Sequence, residues 1–167
     1  MQKANCFEYS MTTLRRTPKA ALRAAAKPLL QPDLFSFSFP SRVYFENTDA
    51  GGVVYHSEYL KFLERARTEW LRYLGFTHQL LGKKYGVVFV ASQIAIDFVR
   101  PAKLDDTIAV GVEIESLGHA RVVFHQEIRR DEEVLVRARI TIACVSMEGF
   151  KPMAIPQDVR MKLEAAT

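Results

Sequence analysis

The chain has 167 residues, 49% apolar and 25% charged, a composition that supports one globular domain with a sizeable core. Its net charge of +4 belongs to the leading segment: residues 1–35 hold six basic and two acidic side chains, and the rest balance at 17 and 17, which argues against a nucleic-acid surface on the folded part. Cys6 and Cys144 sit in unrelated contexts, no His or Cys cluster has metal-site spacing, and no stretch approaches the ~20 apolar residues of a membrane span, so a disulfide framework, a structural zinc site and a spanning helix are excluded and a reducing, cytoplasmic setting is expected.

Residues 1–35 read as a basic extension. The Ala-rich spacing of Arg and Lys between Thr12 and Leu30 suits an amphipathic helix or an organelle-targeting peptide, but a disordered extension is the favoured reading. Leu34 to Phe39 then alternates apolar and hydroxyl residues and predicts one edge-like strand, since Pro40 removes a ladder donor; Arg42 to Phe45 continues in a β-prone register.

The segment from His56 to Leu74 is the clearest helix. Tyr59, Phe62, Leu63, Ala66, Trp70, Leu71 and Leu74 recur at the spacing of one buried face, while Lys61, Glu64, Arg65, Glu69 and Arg72 fall off it. Ser57 is the expected N-cap, Glu58 suits the positive end of the macrodipole, and Gly75 is placed to stop the helix. A short helical turn follows over Thr77 to Lys84, ending near Gly82 to Gly86.

Beyond it the period changes to two. Val87 to Arg100 is a strand with Ile94, Ile96 and Phe98 on one face, and Pro101 to Asp106 punctuates it. Thr107 to Leu117 sets Ile108, Val110, Val112 and Ile114 against Thr107, Gly111, Glu113 and Glu115. Gly118-His119 links it tightly to Arg121–Arg130, whose core face is Val122, Phe124 and Ile128. After a turn at Arg130 to Glu132, Val134 to Val145 sets Val136, Ala138, Ile140, Ile142 and Cys144 against Arg137, Arg139 and Thr141. One strand, one long apolar helix and four long strands joined by tight turns predict an α+β domain, an antiparallel sheet around a central helix; the chain from Met147 reads as a short, Pro-punctuated tail.

Asp49 lies in a loop with Gly51 and Gly52, seven residues before the helix begins at His56. The first turn of a helix offers unpartnered N–H groups and a partial positive charge, able to stabilise a developing oxyanion, and a nearby carboxylate could attack a carbonyl carbon or activate water. An Asp before Ala-Gly-Gly also suits a turn residue that bonds its own backbone, and the spacing leaves both readings open.

The motif Tyr44-Phe-Glu-Asn-Thr-Asp49-Ala-Gly-Gly-Val-Val-Tyr55-His56, followed by Tyr59 and by Glu64-Arg-Ala-Arg-Thr-Glu69, resembles the hotdog-fold acyl-CoA thioesterases of the 4-hydroxybenzoyl-CoA thioesterase family, in particular its YbgC subfamily. Phe98 to Pro101, Leu104-Asp105-Asp106 and Lys151-Pro152 with Pro156 echo it later. The resemblance implies a hotdog domain over residues 36–160, with about five antiparallel strands wrapped around one helix, and a C-terminal tail at 161–167. It implies Asp49 as the catalytic carboxylate, nucleophile or general base, and the backbone N–H of His56 as the group polarising the thioester carbonyl. Gly51 and Gly52 would let the chain approach the substrate, with Val54, Tyr55 and Tyr59 around the acyl group. No cofactor and no metal are implied. The implied partners are acyl-CoA, or an acyl carrier protein as thiol carrier, and further copies of the chain in a homodimer or homotetramer.

Other residues draw plainer readings. The His56 side chain is disfavoured as a cation at a helix N-terminus. Glu64 reads as solvated or ion-paired, His119 and His125 as surface or packing residues with no carboxylate partner, and Arg137 and Arg139 as a solvated face that a coenzyme A phosphate could also use. Cys144 reads as an inert core thiol. Two other functions remain: a hotdog hydratase or dehydratase acting on acyl thioesters, and a non-catalytic module that binds acyl-CoA or a protein partner.

Overall fold

A computed structural model describes residues 35–167, so most of the expected N-terminal extension, and Leu34 of the first predicted strand, lie outside the described residues. The elements are β1 (Phe37–Arg42), a 3-10 turn (Phe45–Asn47), α1 (His56–Tyr73), α2 (His78–Tyr85), β2 (Val87–Phe98), β3 (Thr107–Leu117), β4 (Arg121–Arg130), β5 (Glu133–Ser146) and α3 (Gln157–Glu164). The strands form one antiparallel sheet in the order β1-β3-β4-β5-β2. Its apolar side packs on α1, whose Tyr59, Phe62, Leu63, Ala66, Trp70 and Leu71 are buried as the periodicity predicts. Trp70 meets Phe124 of β4 edge to face, centroids 5.4 Å apart. The α+β hotdog architecture expected from the sequence is thus observed.

The helix begins differently from expectation. Ser57 is not the N-cap; Tyr55 occupies that position without a side-chain capping bond. The entry is fixed instead by the preceding turn: the Tyr55 N–H donates to the Asn47 carbonyl (2.9 Å), and Asn47 Nδ2 donates to Glu58 Oε2 (3.0 Å). At the other end Gly75 takes φ 94°, the left-handed stop its position predicts. Helix α2 is capped by Thr77, whose hydroxyl accepts from Leu80 N–H (3.1 Å), and ends at Gly86 with φ 65°.

Three strand expectations need correction. Arg42 to Phe45 does not continue as a strand beyond Arg42, because the chain turns into the 3-10 segment, where Phe45 is exposed; Pro40 sits inside β1, tolerated because β1 is a sheet edge. The link from β2 to β3 is not a tight turn. β2 pairs with β5 on the far edge, and residues 99–106 cross back toward the start of α1. The face of β2 read as core is largely open, with Ile94 at 43% and Phe98 at 52% exposure, because the strand has a neighbour on one side only and a register shift between Ala91 and Gln93 breaks its alternation. The final segment is also more than a tail: α3 buries Val159 and Leu163 and runs past residue 160.

Candidate active site

The site is built from the loop before α1 and the crossing segment after β2. Val43 is fully buried and exchanges backbone bonds with the 105–106 turn: its N–H donates to the Asp106 carbonyl (2.9 Å), and Asp105 N–H donates to its carbonyl (3.1 Å). Val54 N–H donates to the Ala102 carbonyl (2.9 Å), and Ala102 N–H donates to the Tyr59 hydroxyl (2.8 Å). Tyr59 therefore bolts the crossing segment to the first turn of α1, and burial raises its phenol above the ordinary value of 10.0.

Between these anchors the loop makes a tight reversal. Asp49 N–H donates to the Val53 carbonyl (3.0 Å), Gly52 N–H to the Asp49 carbonyl (3.0 Å), and Gly51 N–H to Asp49 Oδ1 (2.8 Å). Asp49 is thus both the turn residue and an exposed carboxylate with Oδ2 outside that turn bond. A methyl group at Gly51 would stand 3.0 Å from Asp49 Oδ1, and Gly52 takes φ 73°, so the loop holds the carboxylate where a larger residue would displace it.

Asp49, Val54, Tyr55, His56 and Tyr59 line one cavity of about 330 Å³, together with Phe98, Val99, Arg100 and Pro101. Gly51 and Gly52 shape the turn but do not line it. The N–H groups of His56 and Ser57 have no protein acceptor among the described residues, as expected of a first helical turn. The His56 ring lies tilted against Tyr55 (centroids 4.2 Å, interplanar angle 49°), and Tyr59 packs on Phe98 (5.7 Å). At the rim, Arg100 donates to Glu133 Oε1 (2.7 Å), within an ion-pair chain that continues through Arg130 to Asp106. Phe98 to Pro101 carried a motif echo but no site reading, because only the crossing of β2 to the opposite sheet edge brings them here.

Glu58 does more than complement a dipole. It is nearly buried, and its hydrogen bonds from Lys61, then from Asn47, hold its carboxyl below the ordinary value of 4.5. A carboxylate whose folded pKa is depressed stabilises the fold above its unfolded value, and that contribution disappears as pH falls through the folded one. The stability gap between wild type and Glu58→Gln should therefore narrow as pH falls from about 5 to 3 in thermal melts. A constant gap would mean that the charge contributes nothing.

Several other readings are resolved. His125 faces a carboxylate after all: it stands opposite Glu113 in the β3–β4 register, 3.7 Å away. Arg137 and Arg139 are paired with Glu127 (3.1 Å) and Glu115 (2.8 Å). Glu64 is exposed and accepts from the Thr68 hydroxyl (2.7 Å). Burial raises the Cys144 thiol above its ordinary value, which keeps it protonated in the core. Among the described residues no cluster of His, Cys, Asp and Glu could hold a metal ion, and no helix is long and apolar enough to cross a membrane.

Residues 51–137 match the model of the thioesterase superfamily. The chain belongs to that superfamily. A Haemophilus influenzae protein named acyl-CoA thioesterase YbgC is 48% identical over 124 residues, 74% of this chain and 91% of its own length. An Escherichia coli protein named acyl-CoA thioester hydrolase YbgC is 42% identical over 74% of this chain and 92% of its own. Among solved structures, a 1,4-dihydroxy-2-naphthoyl-CoA thioesterase from Synechocystis superposes with a TM-score of 0.71 at 26% identity, covering 76% of this chain and 94% of its own. Thioester hydrolysis is thus the chemistry against which this superfamily member's cavity is to be read.

Proposed function

We propose that this thioesterase hydrolyses an acyl-CoA thioester to the free acid and coenzyme A, with Asp49 as the working carboxylate and the His56 backbone N–H as the donor to the thioester carbonyl. The observation that carries this reading is the single cavity that holds Asp49 beside the N-terminus of α1. The acyl-CoA names of the Haemophilus and Escherichia relatives support the substrate class.

In the general-base form, Asp49 accepts a proton from water as the water oxygen bonds to the thioester carbon. Negative charge develops on the carbonyl oxygen facing the helix start, where a backbone donor in a fixed position stabilises it. The tetrahedral intermediate collapses, the C–S bond breaks and coenzyme A leaves as the thiolate, which needs little protonation. In the nucleophilic form, Asp49 bonds to the carbon itself, the C–S bond breaks as coenzyme A leaves as the thiolate, and water then cleaves the mixed anhydride to the free acid and the restored Asp49 carboxylate. Neither route needs a cofactor.

Both Asp49 and His56 are exposed in the single chain, whereas hydrolysis of a thioester benefits from a site closed to bulk water. The open edge of β2, with Ile94 and Phe98 uncovered, supports pairing with a second copy along that strand, in a homodimer or homotetramer that would enclose the acyl group. Tyr55, Tyr59 and Phe98 offer that group an aromatic lining. Product analysis tests the reaction class: free acid and free thiol should appear in equal amounts, whereas a hydrated acyl thioester without thiol release would place the chain among the hydratases.

A further inference from the structure

A second cavity, of about 160 Å³, lies farther along α1 and shares no lining residue with the first. Its apolar wall includes Trp70, Phe89, Phe124 and Ile142, and one cation, Arg67, faces it. Arg67 is partly buried and anchored at one point: its Nη1 donates to Gln126 Oε1 (2.6 Å), while the fully buried Gln126 donates through Nε2 to the Leu63 carbonyl (3.2 Å).

Among the described residues no carboxylate forms an ion pair with Arg67, and its other N–H groups have no protein acceptor. Burial pushes this guanidinium down to about 10, against the opposing pull of Glu64. Glu64 stands one turn earlier at the rim, with Oε1 taken by the Thr68 hydroxyl. That hydroxyl has a single proton, so its 3.2 Å contact with His78 Nε2 requires the proton of that contact to lie on the histidine. Glu64 is thus the carboxylate at the mouth, and Arg67 keeps free donors deeper in.

A partly desolvated guanidinium with no carboxylate in hydrogen-bond contact is costly, even with Glu64 nearby, and its planar fork matches a carboxylate in a bidentate manner. The volume is close to the ~150 Å³ of cavities that take up a benzene ring. We propose that this cavity binds a small carboxylic acid with an apolar body about the size of a benzene ring, its carboxylate held by Arg67. The site goes beyond the hydrolytic cavity and does not rest on its assignment. Acids of this class are what hydrolysis of an aromatic or short acyl thioester would release.

The chain contains a single tryptophan, Trp70, and it lines this cavity, so ligand entry is readable from its emission. The full chain is titrated with benzoate, and with benzamide as the neutral match. A saturable change with benzoate is expected, at least ~10-fold weaker with benzamide and at least ~10-fold weaker in Arg67→Lys, which keeps the charge and loses the fork. Asp49→Asn should titrate like wild type, so this proposal and the hydrolytic one fail separately. No saturable response, equal affinity for benzamide, or undiminished binding by a folded Arg67→Lys would overturn it. If that variant does not fold, the benzoate and benzamide comparison in wild type decides.

Discussion

Asp49→Asn should lower the turnover number for thiol release by about 10² or more while leaving the protein folded, the loss expected when a key acid-base group is removed. The substitution separates the two roles that the sequence left superimposed on this residue. Asn keeps the side-chain oxygen that accepts the Gly51 N–H at 2.8 Å, so the turn and its thermal stability should survive. It lacks the negative charge that either attacks the thioester carbon or takes a proton from water. An Asn variant with more than about a tenth of wild-type turnover would show that the carboxylate serves the turn alone, and would favour a binding module.

The second large effect concerns a backbone atom. His56→Pro should reduce turnover by about 10²–10³, the loss that follows removal of one oxyanion donor, whereas His56→Ala should change it little. Proline deletes the N–H but suits the first position of a helix. Tyr55, with φ −64° and ψ 136°, already has the extended conformation that a residue before proline prefers. The helix start is thus expected to tolerate the change. If His56→Ala lost as much as His56→Pro, the imidazole would be the working group and the helix N-terminus would not.

The parts of this fold that the sequence makes legible are those where one face decides. The stripe from Tyr59 to Leu71 and the alternation from Ile108 to Ile114 each report burial against a single partner, and both are observed. Position within the sheet is another matter. Ile94 and Phe98 carry the same alternating signal as Val110, yet β2 lies at an edge beside β5, and nothing in its local pattern says which strand it will pair with.

The loop that presents Asp49 was readable because glycines mark it, and the helix after it because of its stripe. What holds the two together was not. Asn47 and Glu58 are eleven residues apart, and only the folded turn makes them a buried pair. Arg67 likewise drew no site reading of its own from the sequence, because only the fold sets Gln126 of β4 against it.

The most direct test of the account is thiol release by the wild-type chain from a panel of acyl-CoA thioesters running from acetyl through palmitoyl to benzoyl and hydroxybenzoyl. Saturable release from at least one member is the predicted result, and its ranking would name the acyl group. A folded protein that releases thiol from none of them would contradict acyl-CoA hydrolysis at the Asp49 cavity.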